Sequence, residues 1–149
     1  GGNAVAELPI AHWPEEANAV IITAQDPLVG AAFGSADRGA EHDYAWFAPA
    51  PELPANTPTA AAVAPAGELV LVNPGTADAR VRVGGGPDPA ATVTVPAGAA
   101  VSVDAPAAAL ITSDAAIYAG VRIATGGDIA GYPVLGEPAR VTSLTVYPR

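Results

Sequence analysis

Arg80-Val81-Arg82-Val83 is the stretch on which the fold turns: two guanidinium groups point one way and two branched aliphatic side chains the other. That period-two pattern is a strand with one wet and one dry face. Working outward, Thr92-Val93-Thr94-Val95 repeats the alternation, Pro96-Ala97-Gly98 supplies a turn, and Val101-Ser102-Val103 resumes it. This segment is therefore expected to be a β-hairpin with its valines inward. Upstream, Glu68-Leu69-Val70-Leu71-Val72 is apolar at both parities and reads as a strand covered on both faces. It stops at Asn73-Pro74-Gly75, where Pro at the second and Gly at the third turn position predict a type II turn. Downstream, residues 109–112, a turn at Ser113 and Asp114, residues 117–123 and residues 141–147 bring the expectation to about seven short strands.

Composition supports a β fold. The chain has 149 residues, 50% of them apolar and 14% charged, with 16 Gly and 16 Pro. A chain of this length buries roughly 68–70% of its unfolded surface, enough for one compact core or two small ones. The prolines and glycines leave no window for three helical turns with an apolar stripe; residues 15–19, behind Pro14, are the one helical turn expected. Six basic against 15 acidic residues give a net charge of −9, which repels a phosphate backbone and argues against nucleic acid as a partner. With no Cys, disulfide frameworks, thiolate metal sites and thiol nucleophiles are excluded. All six cations are Arg, so there is no Lys for a Schiff base or a P-loop. Pro, Gly or a charge interrupts every apolar run well before 18 residues, and no membrane-spanning helix is expected. The start, Gly1-Gly2-Asn3, lacks both Met and a basic leader region, so a removed leader or upstream region is the expectation.

An internal repeat organises the chain. Residues 21–26 and 28–33 resemble residues 110–114 and 116–121, with Asp26 and Asp114 standing 88 residues apart, and a following strand pair, residues 43–47 and 128–133, keeps nearly that spacing. A unit of that length suits an immunoglobulin-like sandwich. The expected organisation is a partial repeat with a Pro-rich linker over residues 1–58, then one whole immunoglobulin-like β-sandwich over residues 59–149. Residues 49–58 form the linker, semi-extended and stiff.

The succession ELVLVNPG at residues 68–75, ARVRV, TVTVPAGAAVSVD, the LITSD turn and the terminal TVYPR resembles an actinobacterial family of exported proteins of unknown function with tandem β-sandwich repeats. The resemblance covers residues 68–149 directly and the first half through the repeat, and places this chain at the family's C-terminal portion. It implies export, an extracellular or cell-envelope setting and β-sandwich architecture, and it carries no catalytic residues.

The side chains that could carry chemistry are few. His12 stands near Glu15 and Glu16, and His42 between Glu41 and Asp43, but adjacent residues on an extended chain do not converge on one zinc ion, and solvated polar loops are the simpler reading. No acidic stretch has the alternation and Gly of an EF-hand. Ser35, Ser102, Ser113 and Ser143 lack a nucleophile-elbow setting, and Gly84-Gly85-Gly86 lacks the helix and Lys of a phosphate loop. No catalytic, cofactor or metal residue is therefore assigned. Aromatics are 5% of the chain, so Trp13, Tyr44 and Trp46 stand out as contacts for a ligand or partner. Alternation puts Tyr44 and Trp46 on one face and Phe47 on the other. Against a platform for a sugar ring or a protein stands the reading that large rings in a small-residue chain anchor its core, as Tyr118, Tyr132 and Tyr147 would too. The expected function is a non-catalytic, secreted or cell-envelope structural or interaction module with a protein or an envelope polysaccharide as partner. A carbohydrate-binding module on Tyr44 and Trp46 and a hydrolase with an acidic pair about 5–9.5 Å apart are the alternatives.

Overall fold

Strand propensity written as Val, Thr and Ile alternation becomes three antiparallel sheets in the computed structural model, which describes residues 5–7, 9, 18–26, 28–85 and 91–136. The strands are β1 (Ala32–Arg38), β2 (Glu41–Phe47), β3 (Thr59–Ala62), β4 (Gly67–Val72), β5 (Ala79–Gly84), β6 (Ala91–Val95), β7 (Ala100–Val103), β8 (Ala108–Ser113), β9 (Tyr118–Thr125) and β10 (Asp128–Pro133). One four-stranded sheet runs β10-β9-β4-β7, the other β3-β8-β5-β6, and β1-β2 is a separate hairpin. The described residues hold no helix. The protein is all-β and sandwich-like, an arrangement compatible with the immunoglobulin type. The expected strand at residues 141–147 and most of the expected helical turn at residues 15–19 lie outside the described residues.

The period-two reading of β5 holds: Ala79, Val81 and Val83 are buried and Arg80 and Arg82 exposed. Between the two sheets lie Leu69, Leu71, Val81, Val95, Ile111 and Ile117, and removing side chains of this size from water stabilises by about 1.5–3 kcal/mol each. Leu69, Val70 and Leu71 are all buried, matching their apolarity at both parities, because β4 is interior to its sheet. β3 is the element least visible in the sequence. It reads Thr-Ala-Ala-Ala, without a branched or aromatic signal, and is held by pairing Ala60 with Leu110 and Ala62 with Ala108.

Two local expectations are corrected. Residues 92–103 do not form a hairpin: β6 pairs with β5 in one sheet and β7 with β4 in the other. Pro96-Ala97-Gly98 is an arch between sheets, with Gly98 at φ 67°. Its shape is held by Asn73, whose Nδ2 donates to Val95 O at 3.0 Å, Pro96 O at 3.3 Å and Ala77 O at 2.8 Å. Nor is Asn73-Pro74-Gly75 a type II turn, since that turn requires a left-handed third residue and Gly75 does not have a positive φ. Instead Asn73 Oδ1 accepts from Gly75 N at 2.9 Å, an Asx turn that competes with the backbone turn.

The Pro-rich stretch is fastened to the sandwich. Leu53 is buried in the core and exchanges both backbone hydrogen bonds with Ile117, and Asn56 N donates to Ser113 O at 2.7 Å. The Ser113-Asp114 turn forms as read: Ala115 N donates to Ser113 Oγ, and Arg80 N donates to Asp114 Oδ1 at 2.7 Å. Asp114→Ala removes that acceptor from the end of β5 and is expected to lower unfolding stability by about 1 kcal/mol, read as a shift in urea midpoint at constant slope. An unmoved midpoint would show that water replaces the carboxylate at no cost.

Candidate functional site

The β1-β2 hairpin is tightly turned at Gly39-Ala40, Gly39 taking φ 63°, and its register places Phe33 opposite Trp46 and Ser35 opposite Tyr44. Phe33, Tyr44 and Trp46 thus share one face, and Gly34, Asp43, Ala45 and Phe47 share the other. The second face packs on β10. Ile129 N donates to Asp43 Oδ2 at 2.7 Å, satisfying an amide at the free edge of β10. The Phe47 ring occupies a slot between two glycines: a Cβ at Gly131 would stand 2.6 Å from Phe47 Cε1, and one at Gly34 3.2 Å from Phe47 Cε2. Phe47 therefore lies opposite Tyr44 and Trp46, as alternation required.

The first face is open. Trp46 is 71% exposed, Tyr44 59% and Phe33 54%. These rings do not anchor the core. The Phe33 and Tyr44 rings are stacked, with centroids 5.7 Å apart and planes 14° apart, while Phe33 and Trp46 are 5.0 Å apart and inclined by 52°. Tyr44 and Trp46 therefore cannot be coplanar, and the three rings form a ridge rather than a flat platform. Contiguous apolar surface of this kind marks interaction sites. Phe33 was not singled out as a contact from the sequence. The signal was present in the Gly39-Ala40 turn, which fixes the register and brings Phe33 opposite Trp46.

A second apolar surface lies on the outer face of β3-β8. Ala60, Ala62, Ala108 and Leu110 line a shallow hollow of about 390 Å³, and Leu110 is 50% exposed. Arg80 and Arg82 stand exposed on neighbouring β5. Alanine carries little strand or site signal, which is why this surface is not legible in the sequence.

The other candidates separate. Trp13 and His12 lie outside the described residues, as do Ser143, Tyr147 and residues 86–90 of the glycine-proline loop. His42 is exposed on the hairpin, and among the described residues no three His, Asp or Glu side chains gather to hold a metal. Tyr132 donates its hydroxyl to Ala62 O at 3.0 Å and accepts from Ala64 N, tying β10 to the end of β3. A cleft of about 100 Å³ lined by Glu68, Ser102, Val103 and Asp104 brings two acids together, but Glu68 is held by Arg122 at 2.8 Å. That space is below the roughly 300–1,000 Å³ of pockets that enclose a small organic ligand. No described helix is long and apolar enough to cross a membrane.

A model of a family of unknown function, DUF5719, matches residues 1–106. The chain belongs to the DUF5719 family. No curated protein and no solved structure matches the chain. The DUF5719 match takes in the aromatic hairpin and runs to Pro106, just before β8, so β8, β9 and β10 fall beyond it. It thus spans the first 106 of the 149 residues, whereas the family resemblance read from the sequence rested on residues 68–149, and the two overlap over residues 68–106.

Proposed function

We propose that this chain is a non-catalytic interaction module of an exported, cell-envelope protein and that the Phe33-Tyr44-Trp46 face of β1-β2 is its contact surface. One observation carries the reading: three large rings lie together on a sheet face, each more than half exposed, in a chain where aromatics are 5% of residues. Burying them against a partner removes their apolar surface from water, which stabilises by about 25 cal/mol per Å². The inclination of Trp46 favours a shaped partner over the flat face of a sugar. Export and the envelope setting rest on the family resemblance. The reading of residues 1–58 as the tail of a first repeat belongs to the same proposal. β1-β2 and β9-β10 are both hairpins with a two-residue turn carrying a positive-φ glycine, Gly39 in one and Gly126 and Gly127 in the other. Residues 18–26, aligned in part with β8, form no strand.

Co-sedimentation with an insoluble cell-envelope fraction tests the contact surface. The wild-type chain is expected to be retained and Trp46→Ala to be retained at least tenfold more weakly, a loss of about 1.4 kcal/mol. Equal retention of both chains would overturn the assignment.

A further inference from the structure

We propose that the aromatic face of β1-β2 docks into the alanine-lined hollow on β3-β8 of a second copy of this chain, joining copies head to tail. This rests on the aromatic face being the contact surface, and it names the occupant.

Shape is the first argument. The ridge of Phe33, Tyr44 and Trp46 projects large inclined rings, while Ala60, Ala62 and Ala108 withdraw from the outer face of β3-β8 and leave about 390 Å³ of apolar space beside Leu110. Among the described residues, no segment of the same chain covers either surface. Charge is the second. The chain carries −9 overall, so copies repel unless its few arginines meet acids or rings. Arg80 and Arg82 are exposed on β5, next to β8 and the hollow, whereas the ridge face meets them with rings, Asp43 being turned toward β10. A guanidinium over an aromatic face is attracted by the ring quadrupole, so Arg82 beside the hollow complements the ridge.

The third argument is what a face of this design packs on. In β9-β10 the register sets Tyr132 opposite Val121; Val121 is buried against the opposite sheet, and Tyr132, though 39% exposed, reaches Ala62 O of β3. Sheet faces of this kind pack at about 10 Å on another sheet. The outer surface of β3-β8 is an apolar sheet face of that sort. Since ridge and hollow are different surfaces, the contact is heterologous, and every added copy leaves one of each free.

Sedimentation velocity from micromolar to millimolar concentration reads the assembly directly. The wild-type chain is expected to grow past the dimer as concentration rises. Trp46→Ala, which blunts the ridge, and Leu110→Glu, which charges the hollow, are each expected to associate at least tenfold more weakly, with thermal midpoints at the wild-type value. Arg82→Glu is the second variant on the hollow side should Leu110→Glu unfold. An equimolar mixture of a ridge variant with a hollow variant is expected to form two-chain particles and none larger, because each supplies the surface the other lacks. A wild-type chain that stays monomeric throughout, single variants that assemble undiminished, or a mixture that stays monomeric would each overturn the inference. A monomeric chain that nevertheless loses envelope retention on Trp46→Ala would keep the contact surface and reject a second copy as its occupant. A shift of Trp46 emission on adding a neutral polysaccharide, without growth of the particle, would replace the second copy with a glycan.

Discussion

Asn73→Ala is expected to lower the unfolding free energy by about 2–4 kcal/mol, because one buried amide serves four backbone groups. Asn73 is 1% exposed. Its Nδ2 reaches carbonyls of Ala77, Val95 and Pro96, and its Oδ1 takes Gly75 N, so the end of β4, the approach to β5 and the end of β6 converge on it. Alanine leaves those groups without the amide, and each carbonyl that water cannot reach costs about 1–3 kcal/mol. Asn73→Asp, which keeps the size but loses both N–H donors, is expected to be at least as costly, since it turns a carboxylate toward three carbonyl oxygens. Urea unfolding followed by circular dichroism measures both. A loss below about 1 kcal/mol in Asn73→Ala would show that the arch closes without the side chain.

The second large effect concerns the slot that seats the hairpin. Gly131→Ala places a methyl group 2.6 Å from Phe47 Cε1, 2.7 Å from Cδ1 and 3.0 Å from Val121 O, so the ring or the strand must move. Overpacking of this kind costs about 1–3 kcal/mol, and the upper part is expected here because two ring atoms and a backbone oxygen are all close. Phe47→Ala alone is expected to cost about 2–3 kcal/mol, less than a fully buried Phe because the ring is half-buried. Combined in one chain, the two changes are expected to cost less than their sum by at least about 1 kcal/mol, because removing the ring makes room for the methyl. Amide exchange at Ile129, whose N–H is held by Asp43, reports hairpin release in the single variants. Additive costs with an unchanged Ile129 amide would show that the hairpin is not seated through this ring.

Particular residues show how much was legible in advance. Arg80-Val81-Arg82-Val83 encodes its two faces locally, and the structure buries the valines and exposes the arginines. Tyr44 and Trp46 opposite Phe47 follow from the same alternation. The Thr92-Val95 and Val101-Val103 segments look like hairpin arms because a Pro-Ala-Gly turn between alternating runs is the same string whether the arms pair with each other or with β5 and β4. What chooses between these is Asn73, a side chain more than twenty residues from Val95. The exposure of Trp46 was hidden for a similar reason. Alternation says that a strand has two faces, but covering one of them is the work of a remote element.

Alternation, turn residues and composition were therefore sufficient by themselves to make this chain all-β, to set which side chains share a face along most strands, and to withhold cysteine and lysine chemistry from it. Only the tertiary structure decided which sheet each strand joins, that β1-β2 rests on β10 through Asp43 and Phe47, and that the face with Phe33, Tyr44 and Trp46 stays open. The physical reason is range: φ/ψ preference and side-chain period act over a few residues, whereas the partners that cover a sheet face here stand up to 86 residues apart and are selected by packing and hydrogen bonding that no local pattern records.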